Sequence, residues 1–188
     1  MSSVRVEGSP EHPELVFSDN FNVAVPFIDR HLDEGRADKV AIYTIEEEVT
    51  YRQLAQNVNK WGNSLTDLSL TPGDRALMVV KDCPEFYYLF WGSIKAGIIP
   101  VPLNTLLRAK DFAFIIEDSG CRSVIYSPEF ADEVEAALDQ VATKPAHVSM
   151  VAGIGESAKT ASAELSVISA TAMSECFWLY SSGTTGEP

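Results

Sequence analysis

Apolar and polar positions along this chain switch between two periods. Leu54, Val58, Trp61 and Leu65 recur at intervals of three and four, which is one face of a helix. Just ahead of them, Thr50-Tyr51-Arg52-Gln53 has the form of a capping box, with Gln53 able to reach back to the Thr50 N–H. Residues 76–80 are apolar without a break, as expected of a strand covered on both faces. Asp82 is placed to cap a second helix, with Pro84 near its first position and Glu85 in its first turn. That helix runs through Phe90 and Ile94 and stops at Gly97 in the left-handed conformation.

Residues 98–103 read as the next strand, which its two prolines push towards a sheet edge or an early exit. A third helix over 109–119 carries Phe112, Ile115 and Ile116 on one face and ends at Gly120. A strand follows at 123–126, and Pro128 opens a fourth helix through Val134, Leu138 and Val141. Strands are expected at 40–43, 147–151 and 177–181, and a helix at 22–32 from Val25, Ile28 and Leu32. Glu46, Glu47 and Glu48 read as a solvated turn. Residues 1–20 read as an irregular, proline-containing lead-in, and 153–175 as an Ala/Ser/Gly-rich loop or linker.

Strands that alternate with helices of ten or more residues make βαβ units. The expected fold class is therefore α/β, a largely parallel sheet with flanking helices, occupying residues 21–188. The formal net charge of −13 makes nucleic acid and anionic membranes poor partners. No apolar run is long enough to span a bilayer, and the N-terminal residues Glu7, Glu11, Glu14 and Asp19 interrupt any signal-peptide core. A cytoplasmic location is expected. Cys83, Cys121 and Cys176 are far apart and read as reduced, buried thiols, while His12, His31 and His147 have no ligand spacing, so no metal ligand is assigned.

Three glycine motifs compete for chemistry. Gly153-Ile154-Gly155-Glu156-Ser157-Ala158 matches G-x-G-x-x-A, with Glu175 at the distance of a ribose-binding acid, but the Ala/Ser-rich stretch after it reads as loop. A Walker A loop is rejected because Gly183 and Gly186 are too close and no Lys-Ser/Thr follows. The third motif is the terminal loop after the apolar run 176–180. Ser181, Ser182, Gly183, Thr184, Thr185 and Gly186 combine small side chains, hydroxyl donors and approachable backbone N–H groups, which suits a phosphate grip.

Tyr180-Ser181-Ser182-Gly183-Thr184-Thr185-Gly186-Glu187-Pro188 resembles the phosphate-loop signature of the adenylate-forming superfamily, which holds acyl-CoA synthetases, peptide-synthetase adenylation domains and firefly luciferase. Val49-Thr50-Tyr51-Arg52-Gln53-Leu54, Pro72-Gly73-Asp74-Arg75 and the segment Lys95 to Asn104 resemble three further motifs of that superfamily, in family order. Phe21-Asn22-Val23-Ala24, Asn104-Thr105-Leu106-Leu107 and the stretch Phe177 to Gly183 are similar to its benzoate–CoA ligase branch.

The resemblance implies the N-terminal part of the large domain, truncated, of an ATP-dependent, AMP-forming aromatic acid–CoA ligase. It implies ATP, Mg2+ and coenzyme A as cofactors, a small aromatic carboxylic acid as substrate, and a homodimer of the full-length enzyme as a candidate assembly. Hydroxybenzoate, aminobenzoate and medium-chain acids are the rival substrates, and a non-catalytic nucleotide-binding module is the rival role. In the superfamily the loop matching Ser181 to Gly186 holds the departing β- and γ-phosphates. The signature normally continues with Lys-Gly, and the acyl pocket, the metal-binding acid and the adenylation Lys lie further on in relatives. No catalytic residue is therefore assigned, and the chain alone is expected to be inactive. Glu187 sets a negative charge beside the anion site, and the first basic residue reading back from Pro188 is Lys159.

Overall fold

The computed structural model describes residues 4–181. Its first element corrects the irregular lead-in. Strands β1 (Val4–Ser9) and β2 (His12–Phe17) form an antiparallel hairpin, with Val4 opposite Phe17 and Val6 opposite Leu15. Pro13 is tolerated because both strands of a two-stranded ribbon are edges, where a missing N–H need not cost a ladder bond. The helix expected over 22–32 is instead a π-helical turn (Val25–Asp29) running into the short α1 (Arg30–Asp33), with Pro26 at its start.

A second hairpin, β3 (Val40–Tyr43) with β4 (Glu48–Thr50), turns through Glu46 and Glu47 and delivers Thr50 to the start of α2 (Tyr51–Asp67). Both halves of the capping box form. Thr50 Oγ1 accepts from the Gln53 N–H at 3.3 Å, and Gln53 Oε1 accepts from the Thr50 N–H at 2.8 Å.

The remaining elements alternate: β5 (Arg75–Val79), α3 (Pro84–Lys95), β6 (Ile99–Pro102), α4 (Ala109–Ser119), β7 (Ser123–Tyr126), α5 (Ala131–Leu138), β8 (His147–Met150) and α6 (Val151–Thr160). The four strands form an all-parallel sheet in the order β6-β5-β7-β8. The continuous apolar run is central and faces both ways. Ala76, Met78 and Val80 enter a core shared with α2, α3 and α6, and Leu77 and Val79 enter a second core with α4 and α5. The two prolines do place β6 at the edge. Gly97 does end α3 with a φ of +79°, a conformation that costs other residues more than glycine. Asp82 is not the cap of α3. That position belongs to Cys83, whose side chain makes no capping bond, and Pro84 opens the helix.

The loop expected from 153 onward begins instead as helix α6. Val151, Ile154 and Ala158 fall three and four apart and are buried against the first core, a face hidden among weak helix formers. Gly153 and Gly155 lie inside this helix rather than in a strand-to-helix turn, so they do not take up the geometry of a dinucleotide loop. Gly155 lies against Trp61 of α2. Residues 161–175 then run over α2 and α3 as a strap. The Asn63 side chain donates to the Ser162 and Glu164 carbonyls, and the Ile168 N–H donates to the Lys95 carbonyl at 3.0 Å.

Candidate phosphate-binding site

The strand expected over 177–181 does not form a ladder, and β6 explains why. The Ile99 and Leu103 N–H groups point inward, to the Asp74 and Met78 carbonyls beside β5. The outward positions are Pro100 and Pro102, which have no N–H. The outer edge of β6 can accept hydrogen bonds but not donate them, and it takes one, from the Trp178 N–H to the Pro100 carbonyl at 3.2 Å.

The alternation of a strand survives. Trp178 and Tyr180 pack on the second core, while Phe177 and Leu179 are 43% and 68% exposed. Phe177 also meets Phe90 of α3, with ring centroids 5.5 Å apart.

Two side-chain anchors hold this segment. The Arg75 guanidinium lies 5.6 Å from the centre of the Trp178 ring, within cation–π range. The same guanidinium donates to the carbonyls of Gly73 and Ser119 at 2.9 Å and Gly120 at 3.0 Å, so it also satisfies the open end of α4. Below it, the Tyr180 hydroxyl donates to Asp118 at 2.6 Å. Burial first, and then the adjoining carboxylate, push the Tyr180 phenol well above its usual range.

Of the six residues expected to grip phosphate, Ser181 is exposed at the end of this segment. Ser182, Gly183, Thr184, Thr185 and Gly186 lie outside the described residues. Reading back along the sequence reached Lys159 as the nearest cation. In space Arg75, from more than a hundred residues upstream, stands against Trp178, three positions before Ser181. The P-G-D-R turn carried that signal, but only folding connects it to the loop. Among the described residues no three His, Cys, Asp or Glu side chains converge as metal ligands.

A second opening lies where the strand order reverses, beyond the carboxyl ends of β5 and β7, a place where open α/β sheets often bind ligands. This cleft of about 440 Å3 is walled by Trp61, Tyr88, Cys83 and Ser127. Two of the cations that line it are paired, Lys81 with Glu129 and Lys159 with Glu156, each at 2.6 Å.

Burial raises the Cys83 and Cys121 thiols from their ordinary value of 9.0 to about 11. Their folded-state values exceed their unfolded ones, so this contribution to stability is complete below pH ~9 and is lost as pH rises toward 11. Urea midpoints measured between pH 8 and 11 should therefore fall, and Cys121→Ala should flatten part of that slope. An unchanged slope in the variant would contradict the assignment.

The sequence profile of the AMP-binding enzymes matches residues 29–188. The chain belongs to that family. It is 36% identical over 180 residues to the 4-hydroxybenzoate–CoA/benzoate–CoA ligase of Rhodopseudomonas palustris, covering 90% of this chain and 32% of the relative. It is 35% identical over 182 residues to the benzoate–CoA ligase of Thauera aromatica, covering 94% of this chain and 34% of the relative. The fold superposes on the crystal structure of the anthranilate CoA ligase AuaEII in complex with anthranoyl-AMP with a TM-score of 0.83, at 28% identity, over 90% of this chain and 33% of that one. The chain thus spans about a third of the length of the relatives it matches. The α/β architecture is that of an adenylate-forming enzyme.

Proposed function

We propose that these residues supply the pyrophosphate-holding part of an ATP-dependent, AMP-forming ligase that joins a small aromatic carboxylic acid to coenzyme A. The activity is assigned to the polypeptide that contains this chain, whose relatives are about three times its length. The observation that carries the reading is the hydroxyl- and glycine-rich stretch from Ser181 to Gly186, following a segment anchored to the edge of an AMP-binding α/β fold.

In the first half-reaction a carboxylate oxygen attacks the α-phosphorus of ATP, the bond to the β-phosphate oxygen breaks, and pyrophosphate leaves. In the second, the thiol of coenzyme A attacks the acyl carbon and AMP leaves, giving the thioester. Neither step needs a covalent bond to the protein. The demand is for positioning and for stabilising the charge that builds on the departing oxygens. Ser181, Ser182, Thr184 and Thr185 would donate hydroxyl hydrogen bonds to that charge, and Gly183 and Gly186 would let the backbone N–H groups come close.

The aromatic substrate is supported by the names of the relatives, which act on benzoate and 4-hydroxybenzoate. Incubating the polypeptide with ATP, coenzyme A and, in turn, benzoate, 4-hydroxybenzoate, 2-aminobenzoate or octanoate tests it. Loss of free thiol should be fastest with one of the three aromatic acids. A clear preference for octanoate would overturn the aromatic assignment and leave the ligase assignment standing.

A further inference from the structure

Trp178 and Tyr180 are tied down by residues from two distant turns. Arg75 closes the P-G-D-R turn ahead of β5, and Asp118 lies in the last turn of α4. Each does two jobs. Arg75 binds the α4 end through the Ser119 and Gly120 carbonyls and stands against Trp178. Asp118 accepts the Tyr180 hydroxyl at 2.6 Å, and a hydrogen bond to a charged acceptor is about twice as strong as a neutral one. These anchors stand in for the ladder that Pro100 and Pro102 deny to the segment, which among the described residues is left with one backbone hydrogen bond, from Trp178 to Pro100.

Building on the ligase reading, we propose that Asp118 and Arg75 are positioning residues for the phosphate loop: they set the height and direction at which the chain leaves Tyr180 and enters Ser181. Neither touches the reacting atoms. Asp118 acts through Tyr180, and Arg75 acts through Trp178 and the α4 end. A loop that grips phosphate with several short hydrogen bonds loses much of its grip when its entry shifts by about 1 Å. Substrates that do not contact the loop are unaffected.

The test is a kinetic split with a conservative rescue, measured on the polypeptide that contains this chain. Asp118→Ala and Tyr180→Phe should each raise KM for ATP by roughly tenfold, the size expected from losing one charge-assisted hydrogen bond. KM for the aromatic acid should stay within about twofold, since the loop is proposed to hold phosphate and not the acid. The double variant should be no worse than either single one. Asp118→Asn should recover most of the loss, because its amide oxygen still accepts from the Tyr180 hydroxyl.

A second readout does not depend on activity: hydrogen exchange at the Trp178 amide, which donates to Pro100. It should speed up by roughly tenfold or more in Asp118→Ala and in Arg75→Ala if these side chains hold the segment in place. Unchanged exchange, or an active wild type whose variants keep the wild-type KM for ATP, would overturn the proposal. A wild type that activates no acid would instead count against the ligase reading, and the exchange result would still decide the anchor.

Discussion

Replacing Asp29 with alanine should cost the fold about 3 kcal/mol, lowering its melting midpoint by roughly 6–12 °C. Its partner Lys95 lies at the end of α3 with only 3% of its surface exposed, and the ammonium meets the Asp29 carboxylate at 2.6 Å. Taking away the carboxylate leaves a cation inside the protein with no counter-charge. That is far worse than losing a surface pair, which is worth about 0–1 kcal/mol. The ion pair also carries topology. Asp29 ends the π-helical turn, and Asn22 donates to the Ile94 carbonyl at 3.0 Å, so the N-terminal segment is pinned to α3 at two points. The double change Asp29→Ala with Lys95→Met removes both charges and should recover most of the stability. If Asp29→Ala alone shifted a urea titration by less than about 0.5 kcal/mol, the pair would not be holding the segment.

Gly92→Ala is expected to destabilise by about 2–3 kcal/mol, although an alanine inside a helix normally stabilises by up to ~1 kcal/mol. Helices α2 and α3 cross at Gly62 and Gly92 with their backbones in contact. A methyl group on Gly92 would sit 2.7 Å from the Val58 carbonyl oxygen and 2.8 Å from the Gly62 nitrogen. A methyl group on Gly62 would sit 2.8 Å from the Gly92 carbonyl oxygen. These neighbours are main-chain atoms, so the helices themselves must part, loosening the packing of Val58, Trp61 and Leu89 that fills the first core. Gly155→Ala is the control. Its methyl would first meet the Trp61 ring at 3.4 Å, an ordinary contact, and should be neutral or mildly stabilising. Equal stability of both variants would contradict the close crossing.

Much of this architecture was legible because local and global preferences agree. The Thr50–Gln53 box, the unbroken run of β5 and the stop at Gly97 each have one physical reading, and the fold adopts it; of the two open to the prolines of β6, it takes the edge. The elements that escaped had ambiguous signals. In the first hairpin, Pro10 and Pro13 read as breaks although ribbon edges accept them. In α6, glycine and serine diluted a three-residue apolar face. Around 177–181 the pattern was correct and the partner was wrong, since a strand needs donors that Pro100 and Pro102 lack.

The proposed site divides into a loop and its supports. Its loop residues stand together in the sequence, so their chemistry could be read from residue type alone. Its supports could not, because Arg75, Asp118 and Tyr180 meet only after two βαβ crossings bring distant turns to one sheet edge. The Lys95–Asp29 pair was hidden for the same reason. A lone lysine in an apolar helix gives no sign of which carboxylate, 66 positions away, will meet it.

The central claim, that these residues belong to an enzyme that makes an acyl-adenylate, is tested most directly by exchange of labelled pyrophosphate into ATP. The polypeptide that contains this chain should catalyse exchange only when an aromatic acid such as benzoate is present. The exchange should drop by roughly 100-fold when Thr184 and Thr185 are both changed to alanine, as expected for losing two donors to the departing charge. A folded polypeptide that exchanged no pyrophosphate with any of these acids, or exchanged it equally well without acid, would contradict the account.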